Sequence, residues 1–247
     1  MPRPARTLYR NREEFMQRNL FTLAMVPLVL VGLTAQEQAP NTLTPAERTA
    51  GWRLLFDGKT TAGWRGYKTT GMPAGWQVTP DGALTRASKA ADLVSVEQFG
   101  SFELSFEWKI SPGGNSGVLY HVTEDLDQPW KSGPEYQLLD NAGHADGKKA
   151  ETSAASDYAL YAPVKDVTRP VGSWNTGRIV VRGTHVEHWL NGVKVLEYEI
   201  GSPEWTGRVE QSKFNVYPRF GLAGRGHIVL QDHDDTVAFR SLKIRTP

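Results

Sequence analysis

Residues 102–110 read FELSFEWKI, and apolar and polar side chains alternate along the whole stretch. Successive side chains of a β-strand point to opposite sides, so this period of two predicts a strand with one buried face and one polar face. The buried face would hold Phe102, Leu104, Phe106, Trp108 and Ile110, and the polar face Glu103, Ser105, Glu107 and Lys109. The stretch is the clearest strand of the chain.

Two hairpins are predicted from their turns. Asn191-Gly192 separates the stretches 185–190 and 193–200, and Asn-Gly supplies the two positive-φ residues of a tight hairpin turn. Residues 76–79 and 83–85 flank Pro80-Asp81-Gly82 in the same manner. Further strands are predicted at residues 53–56, 92–96, 116–122, 135–140, 176–182, 226–232 and 237–245.

Helical signals are few. Ser202-Pro203-Glu204 provides a cap, a proline at the first helical position and an early acid, and it predicts a helix over residues 202–214. Residues 44–47 have the pattern of a capping box and predict a single helical turn. Many short strands divided by Gly, Pro, Asp and Asn, with one short helix, predict one all-β domain, an antiparallel sandwich or barrel.

The N-terminal residues have the layout of an export signal: a basic lead, an apolar run over residues 20–33, and a small residue, Ala35, before a polar one. Met16 opens a more ordinary signal than Met1. We expect a signal peptide over residues 1–35, a linker over 36–50 and the domain over 51–247. The mature protein is then expected in the periplasm or outside the cell, without stable membrane insertion.

Composition excludes several classes of protein. The 247 residues include 28 Lys and Arg, 27 Asp and Glu, and no Cys. The absence of Cys excludes a disulfide framework, an iron–sulfur site and a Cys nucleophile. A net charge of +1 gives no reason to expect nucleic-acid binding. The sequence contains no HExxH, no GxSxG and no P-loop.

Polar side chains of one chemical type follow two predicted strands. Glu135 and Gln137 share one face of the first, and His227, Gln231 and His233 share one face of the second and its extension. Any solvent-exposed sheet face is polar. However, Glu, Gln, Asn and His beside aromatic residues suit the hydroxyls and the apolar face of a sugar ring. These faces therefore indicate a carbohydrate site.

The longest loops lie between residues 111 and 157. Long loops at one rim of a sandwich often carry binding function, although simple length variation at a surface gives the same pattern. His144 and Asp146 in these loops leave a divalent-metal site open, although a single loop histidine is more often just solvated. The sequence therefore leaves the identity of any cofactor undecided.

The chain resembles the 3-keto-disaccharide hydrolase domain family from Leu43 to Ile244. The segments that carry the resemblance include GGNSGVLYHVTE, SGPEYQLLDNAGHAD, YALYAPV, HWLNGVKVLEYE and GHIVLQDHDDTVAFRSLKI. Three positions depart from the family pattern. Asp234 follows His233 where the family commonly has Gly, Ser241 stands where Asn is frequent, and His121 where Arg is frequent. We expect these departures to affect the fine geometry of the pocket more than the fold.

The resemblance implies a concanavalin-like jelly roll, in which two antiparallel sheets pack together and a sugar binds on the concave face. Glucanases of that fold use a Glu-x-Asp-x-x-Glu strand, which this sequence lacks. The resemblance implies a different reaction on 3-keto-glycosides. Oxidation at C3 acidifies the C2 proton, so that a base can remove it, the group at C1 leaves, and water adds to the enone.

The resemblance also suggests roles for individual residues. Glu135 or His144 would be the base, and the other, with His233, would position a metal or the C3 oxygen. Glu135 could instead be a structural carboxylate that holds the loop at residues 115–117. Hydroxyl contacts are expected from Asn115, Gln137, Tyr158, Asn175 and Gln231, and ring stacking from Trp130 and Trp174.

Two other functions stay open at this point. A carbohydrate-binding module would need hydroxyl contacts and an aromatic platform but no base, and fold alone does not separate it from an enzyme. A scaffold domain would bind no sugar. A carbohydrate substrate is the partner we expect, and the sequence does not indicate an oligomeric state.

Overall fold

The computed structural model describes residues 38–247. The signal peptide predicted over residues 1–35 lies outside them. Residues 38–50, the described part of the predicted linker, are fastened to the domain: Glu47 pairs with Lys243 at 2.7 Å, and Asn41 exchanges hydrogen bonds with Ser241. No helix within residues 38–247 combines the length and apolar character needed to cross a bilayer.

Thirteen short strands and two short helices form the described chain. The helices are α1 (Pro45–Thr49) and α2 (Pro203–Glu210). The strands are β1 (Arg53–Leu54), β2 (Trp64–Gly66), β3 (Trp76–Val78), β4 (Leu84–Arg86), β5 (Leu93–Phe99), β6 (Phe102–Ile110), β7 (Asn115–Val122), β8 (Glu135–Leu139), β9 (Asn175–Arg182), β10 (His185–Leu190), β11 (Val193–Glu199), β12 (Gly226–Leu230) and β13 (Val237–Arg245).

The strands build two antiparallel sheets. The larger follows the order β11-β10-β9-β6-β13-β4-β3, with β1 also paired to β13, and the smaller follows β2-β5-β12-β7-β8. Neighbouring strands in a sheet are often far apart in sequence, as in β6 between β9 and β13. This two-sheet arrangement is the jelly-roll sandwich that the resemblance implied. The prediction of an all-β fold is confirmed.

The two sheets enclose one large apolar core. The predicted buried face of β6 is confirmed, because its five apolar side chains are all at most 4% exposed. On the opposite face, Glu103 pairs with Arg178 and Arg245, and Glu107 pairs with Arg240. Alternation along this strand therefore separates core from ion-paired surface, as the period of two requires.

Both predicted hairpins are confirmed. Asn191 and Gly192 have φ values of 49° and 81°, which is the left-handed pair that a two-residue primed turn demands. Strand β2 was not predicted, because three residues after Gly63 are too few to show a period. The predicted helix over 202–214 ends earlier: α2 stops at Glu210, and the Ser212 side chain caps a separate 3₁₀ turn, Lys213–Val216.

The edge of the smaller sheet is sealed at β8. The segment 155–158 runs beside this strand. The backbone amide of Tyr158 in that segment donates to the backbone oxygen of Glu135 at 3.0 Å. Ala155 N donates to Gln137 O, and Gln137 N donates to Ser156 O, at 2.8 and 3.2 Å. Because both sides of β8 are bonded, its side chains are held at fixed positions on the sheet.

Candidate active site

A small polar cavity lies on the face of the five-stranded sheet that points away from the core. Strand register sets this face: Gln137 is paired with Gly117 and Glu135 with Leu119, whereas the intervening Tyr136 is fully buried in the core. The cavity has a volume of about 110 Å³. Its lining residues are Asn115, Trp130, Glu135, Tyr158, Lys213, Gln231 and His233.

The buried floor of this cavity is formed by Asn115, Glu135 and Gln231, which are between 3% and 8% exposed. The more accessible residues Trp130, Tyr158, Lys213 and His233 form its rim. Six of the seven lining residues were candidates on sequence grounds, and the structure brings them together from β7, β8 and the segments around residues 130, 158 and 233.

Glu135 is the one carboxylate that lines this cavity among the described residues. Burial raises its pKa to about 8, although the nearby Lys213 ammonium acts in the opposite direction. The Gln137 amide nitrogen, in the orientation that satisfies its surroundings, donates to Glu135 Oε1 at 2.9 Å and to Ser116 O at 3.0 Å. The carboxyl group is therefore desolvated and fixed in direction.

The Glu135 carboxylate occupies space that only glycine leaves free. A Cβ placed on Gly117 would overlap Oε1 of Glu135 and lie 2.8 Å from its Cδ. Gly117 stands directly opposite Gln137 in the neighbouring strand. The last glycine of the motif GGNSG, Gly117, is therefore required because the Glu135 side chain of the neighbouring strand needs the space.

Lys213 is the lining residue that sequence reasoning missed. It begins the 3₁₀ turn Lys213–Val216, and its Nζ lies 4.4 Å from the ring centroid of Tyr158 and 4.9 Å from that of Trp130. The residue has exposed surface, but loss of water around its ammonium group lowers its pKa, while Glu135 raises it. A single lysine after a short helix carries no sequence signal that separates it from an ordinary surface lysine.

Gln231 lines the cavity and carries an acceptor without a partner. Its Oε1 is buried and has no hydrogen-bond partner among the described residues. The backbone here is firmly held, because Gln231 N donates to Gly117 O at 3.0 Å. A buried acceptor without a partner is costly unless a ligand satisfies it, so this oxygen fits a substrate hydroxyl.

A buried ion pair fixes the segment that follows Gln231. Arg86, 5% exposed, donates from Nε to Asp232 Oδ1 at 2.5 Å and from Nη1 to Asp234 O at 2.7 Å. Asp232 N in turn donates to Asp92 Oδ1 at 2.8 Å. His233 lies between these two anchored residues, so its backbone has a defined path at the cavity rim.

His144 contacts His233 and does not line the cavity. The two ring centroids are 6.4 Å apart and the rings are nearly perpendicular, at 82°. His144 Nδ1 accepts from Asp146 N at 3.1 Å, and Asp146 accepts from the Tyr158 hydroxyl at 3.0 Å. His144 is therefore connected to the site through neighbours, and Glu135 is the candidate base in direct contact with the cavity.

Three residues that were predicted to contact the sugar do not line this cavity. Trp174 lies between Arg240 and Lys109, with the cations 4.2 and 4.8 Å from its ring, and both partners belong to the larger sheet. The side-chain oxygen of Asn175 accepts from Arg169 N and from the side-chain amide of Asn191. Asn175 therefore holds the loop at Arg169 against the turn that follows β10. Gln137 is fully buried and reaches Glu135 instead of the cavity.

The three departures from the family pattern share one backbone property. His121, Asp234 and Ser241 have φ values of 54°, 64° and 53°, the left-handed region that disfavours most side chains. Asp234 is supported there by Arg86, and Ser241 by Asn41. Gly and Asn, which the family pattern has at two of these places, tolerate this region better than most residues do.

Metal-ligating side chains meet at one place among residues 38–247, and it is remote from the cavity. His185, Glu187 and Glu197 have donor atoms within 4.8 Å of one another on β10 and β11. Lys194 already pairs with both glutamates there. Donor atoms of Glu135, His144 and His233 do not converge to that degree, so these three residues as arranged do not form a complete metal site.

Comparison with known proteins is consistent with this geometry. Residues 51–245 match the 3-keto-α-glucoside-1,2-lyase-like domain family. The chain is 35% identical over 227 residues to the 3-keto-disaccharide hydrolase of Bacteroides thetaiotaomicron, which covers 79% of this chain and 78% of that protein.

Solved structures agree with the sequence relationship. A protein from Parabacteroides distasonis that is classed as a glycosyl hydrolase has a TM-score of 0.78 and 35% identity, covering 83% of this chain and 98% of its own. A second protein from the same organism has a TM-score of 0.62 and 26% identity, and the match covers 79% of this chain and 99% of that protein. The family expected from the sequence motifs is thereby confirmed: the chain belongs to the 3-keto-α-glucoside-1,2-lyase-like domain family.

Proposed function

We propose that this protein cleaves the glycosidic bond of 3-keto-glycosides by removing the C2 proton, eliminating the group at C1 and adding water. Family membership makes it a carbohydrate-cleaving enzyme, and the related Bacteroides protein is a 3-keto-disaccharide hydrolase. The observation that carries the proposal is that Glu135 and Lys213 line the same small cavity and influence each other electrostatically.

Glu135 is the proposed base. A carboxylate whose pKa is raised to about 8 holds a proton more strongly than an ordinary glutamate, so its ionised form is a better acceptor for a carbon-bound proton. Gln137 and the absence of a side chain at Gly117 fix the direction of the carboxylate. This arrangement directs one base toward one carbon.

Lys213 is the proposed electrophile. When the C2–H bond breaks, its electron pair moves toward C3 and negative charge develops on the C3 oxygen. An ammonium group in a partly desolvated site stabilises such an oxygen strongly. His233 on the same rim is a second donor for this oxygen or for a neighbouring hydroxyl.

The remaining steps conserve atoms and charge. The enolate electrons re-form the C3 carbonyl, a double bond forms between C1 and C2, and the C1–O bond breaks with its electron pair on the leaving oxygen. That oxygen takes the proton held by Glu135. One water then adds across the double bond, its oxygen to C1 and a proton to C2, so that the net reaction is hydrolysis.

The cavity does not suit an ordinary two-carboxylate glycosidase. Such enzymes place two carboxyl groups on either side of the anomeric carbon. Here one carboxylate lines the cavity in the described chain, and the other charged group is a cation. Elimination needs only one base and one electrophile, which is the pair that the cavity contains.

The test compares a 3-keto-disaccharide with its unoxidised parent. Wild type is expected to release free sugar from the keto compound alone. Glu135→Gln is expected to lower kcat by about 10²–10⁴-fold, the usual contribution of a general base, with a thermal melt near that of wild type. Wild type that binds the sugar without cleavage would instead identify a carbohydrate-binding module, and a fully active Glu135→Gln would exclude Glu135 as the base.

Export is a separate part of the proposal, supported by the basic and apolar N-terminal pattern. Cell fractionation with N-terminal sequencing of the mature protein tests it. The expected mature chain begins at Gln36.

A further inference from the structure

Asp146 lies next to the candidate active site without lining its cavity. It belongs to the 3₁₀ turn Ala145–Lys148, in the loop that follows β8. Its carboxylate accepts a hydrogen bond from the hydroxyl of Tyr158 at 3.0 Å, and Tyr158 does line the cavity. Asp146 therefore reaches the cavity through the side chain of Tyr158.

The backbone of Asp146 is held in place by its own turn. The Asp146 amide donates to His144 Nδ1 at 3.1 Å, and the Asp146 carbonyl oxygen accepts from the Thr152 hydroxyl at 2.6 Å. The turn also packs closely on the segment before it, because a Cβ on Gly147 would lie 2.0 Å from Asn141 O. A fixed backbone leaves the short Asp146 side chain few directions, so its carboxylate has a defined position.

Tyr158 joins Asp146 to both proposed reacting groups. Its backbone amide is bonded to the backbone oxygen of Glu135 in β8, and its hydroxyl reaches Asp146 at the other end of the side chain. Lys213 Nζ lies 4.4 Å from the centre of the Tyr158 ring, where the ring face attracts the ammonium group. Tyr158 thus contacts the strand of the proposed base and the proposed electrophile itself.

The contact with Asp146 decides what the Tyr158 oxygen can do for a ligand. A tyrosine hydroxyl has one hydrogen to donate, and its oxygen can also accept. Asp146 takes that hydrogen, because a carboxylate only accepts. The phenolic oxygen can then bind a further group only as an acceptor, which suits the O–H of a sugar hydroxyl.

We propose that Asp146 is a positioning residue, which holds the Tyr158 hydroxyl so that its oxygen accepts from a substrate hydroxyl on a carbon next to C3. The inference rests on the proposed function, since it takes the C3 oxygen to lie at Lys213, which packs on the Tyr158 ring. The hydroxyls at C2 and C4 flank that oxygen and are therefore the ones that Tyr158 would bind. Without Asp146 the phenolic hydroxyl is free to turn toward water, and the acceptor is no longer held in place.

The test uses a 3-keto-disaccharide and two analogues, one without the hydroxyl at C2 and one without the hydroxyl at C4 of the oxidised ring. The readout is the ratio of kcat/KM for the parent to that for each analogue. Tyr158→Phe keeps the ring beside Lys213, and it is expected to lower this ratio about tenfold for one analogue, the effect of one hydrogen bond. That analogue identifies the hydroxyl that Tyr158 binds.

Variants of Asp146 test the positioning role with the same ratio. Asp146→Ala is expected to lower the ratio toward that of Tyr158→Phe, and the double variant is expected to match Tyr158→Phe. Asp146→Asn keeps an oxygen that accepts from Tyr158 and should retain the wild-type ratio. A structural defect, or a weaker charge on Lys213 after loss of the acid, would slow parent and analogues alike and leave the ratio unchanged.

Glu151→Ala is the matched control, because Glu151 is an exposed acid of the next 3₁₀ turn, Ala150–Thr152, and does not line the cavity. It is expected to keep the wild-type ratio. A wild-type ratio for both analogues in Tyr158→Phe or in Asp146→Ala would overturn the proposal, and so would a double variant whose ratio differs from that of Tyr158→Phe. If wild type does not cleave the parent compound, the proposed function itself fails, and this inference fails with it.

Discussion

The carboxylate of Glu135 rests against the bare α-carbon of Gly117 on the neighbouring strand. One strand thus supplies a reactive group, and the next supplies the space for it. The last position of the motif GGNSG must therefore be glycine, although Gly117 itself takes no part in the chemistry.

Gly117→Ala is therefore expected to displace Glu135. Overpacking of this kind costs about 1–3 kcal/mol of unfolding free energy, and activity should fall by at least tenfold because the base no longer points at its target. Thermal melts and turnover of a 3-keto-disaccharide measure the two effects. Gly207→Ala is the control, since a Cβ there meets no atom within 4 Å and alanine favours the helix. Unchanged activity in Gly117→Ala would show that Glu135 need not occupy its present position.

The pH dependence of kcat/KM is expected to report Glu135. Burial raises its pKa to about 8, so the carboxylate is protonated and inactive as a base at lower pH, and the rate should rise through pH 8. Lys213 favours the charged carboxylate, so Lys213→Met should move this limb to higher pH and also lower the maximal rate. A limb that stays in place after the substitution would show that the two groups do not interact.

Gln231→Met is expected to separate stability from binding. The unpartnered Oε1 of Gln231 is buried, so its replacement by an apolar side chain of similar size should leave the melting temperature equal or higher. KM for the keto-sugar should rise about tenfold, because a hydroxyl loses its acceptor. Calorimetry and steady-state kinetics on the same preparation give both numbers, and a lower melting temperature with unchanged KM would assign the oxygen a structural role.

Asp157 should make the protein less stable as pH rises. Asp157 is fully buried, and desolvation raises its pKa from 3.8 to about 8. Neither of its carboxylate oxygens has a hydrogen-bond partner among the described residues. Between these pH values the folded protein retains a proton that the unfolded chain releases. The free energy of unfolding therefore falls by about 1.4 kcal/mol for each pH unit. Asp157→Asn should flatten the decline in melting temperature between pH 5 and 8.

The exposed Asp81 provides the comparison for that experiment. Its pKa is lowered by the Thr79 hydroxyl, so it is ionised in both states across this range. Asp81→Asn should therefore leave the slope between pH 5 and 8 as in wild type. An identical slope in Asp157→Asn would mean that Asp157 is ionised in the folded protein.

Strand positions were predictable because alternation and turn chemistry are local properties. FELSFEWKI and Asn191-Gly192 each contain their whole signal within ten residues, and both predictions were confirmed. Strand β2 gave no such signal, since three residues cannot display a period. The two-sheet jelly roll came from the resemblance and not from any pattern in the chain, and the order of the strands within the sheets was not predicted.

The site was predictable in its floor and less so in its rim. Glu135 and Gln231 follow from alternation along their strands, which sets the face on which a side chain lies. Lys213 approaches from a separate segment whose position depends on packing of Trp205, Phe214 and Phe220. Trp174 lies away from the cavity, between two cations of the larger sheet, and composition alone cannot distinguish such an aromatic residue from one that lines the cavity.

The candidate active site takes its two proposed reacting groups from different parts of the chain. Glu135 belongs to β8, whereas Lys213 belongs to the 3₁₀ turn that follows α2. The buried rings of Trp205, Phe214 and Phe220 hold that turn in place, rather than strand pairing. Local unfolding of this short segment would therefore remove the cation from the site while the sheet keeps its carboxylate in position.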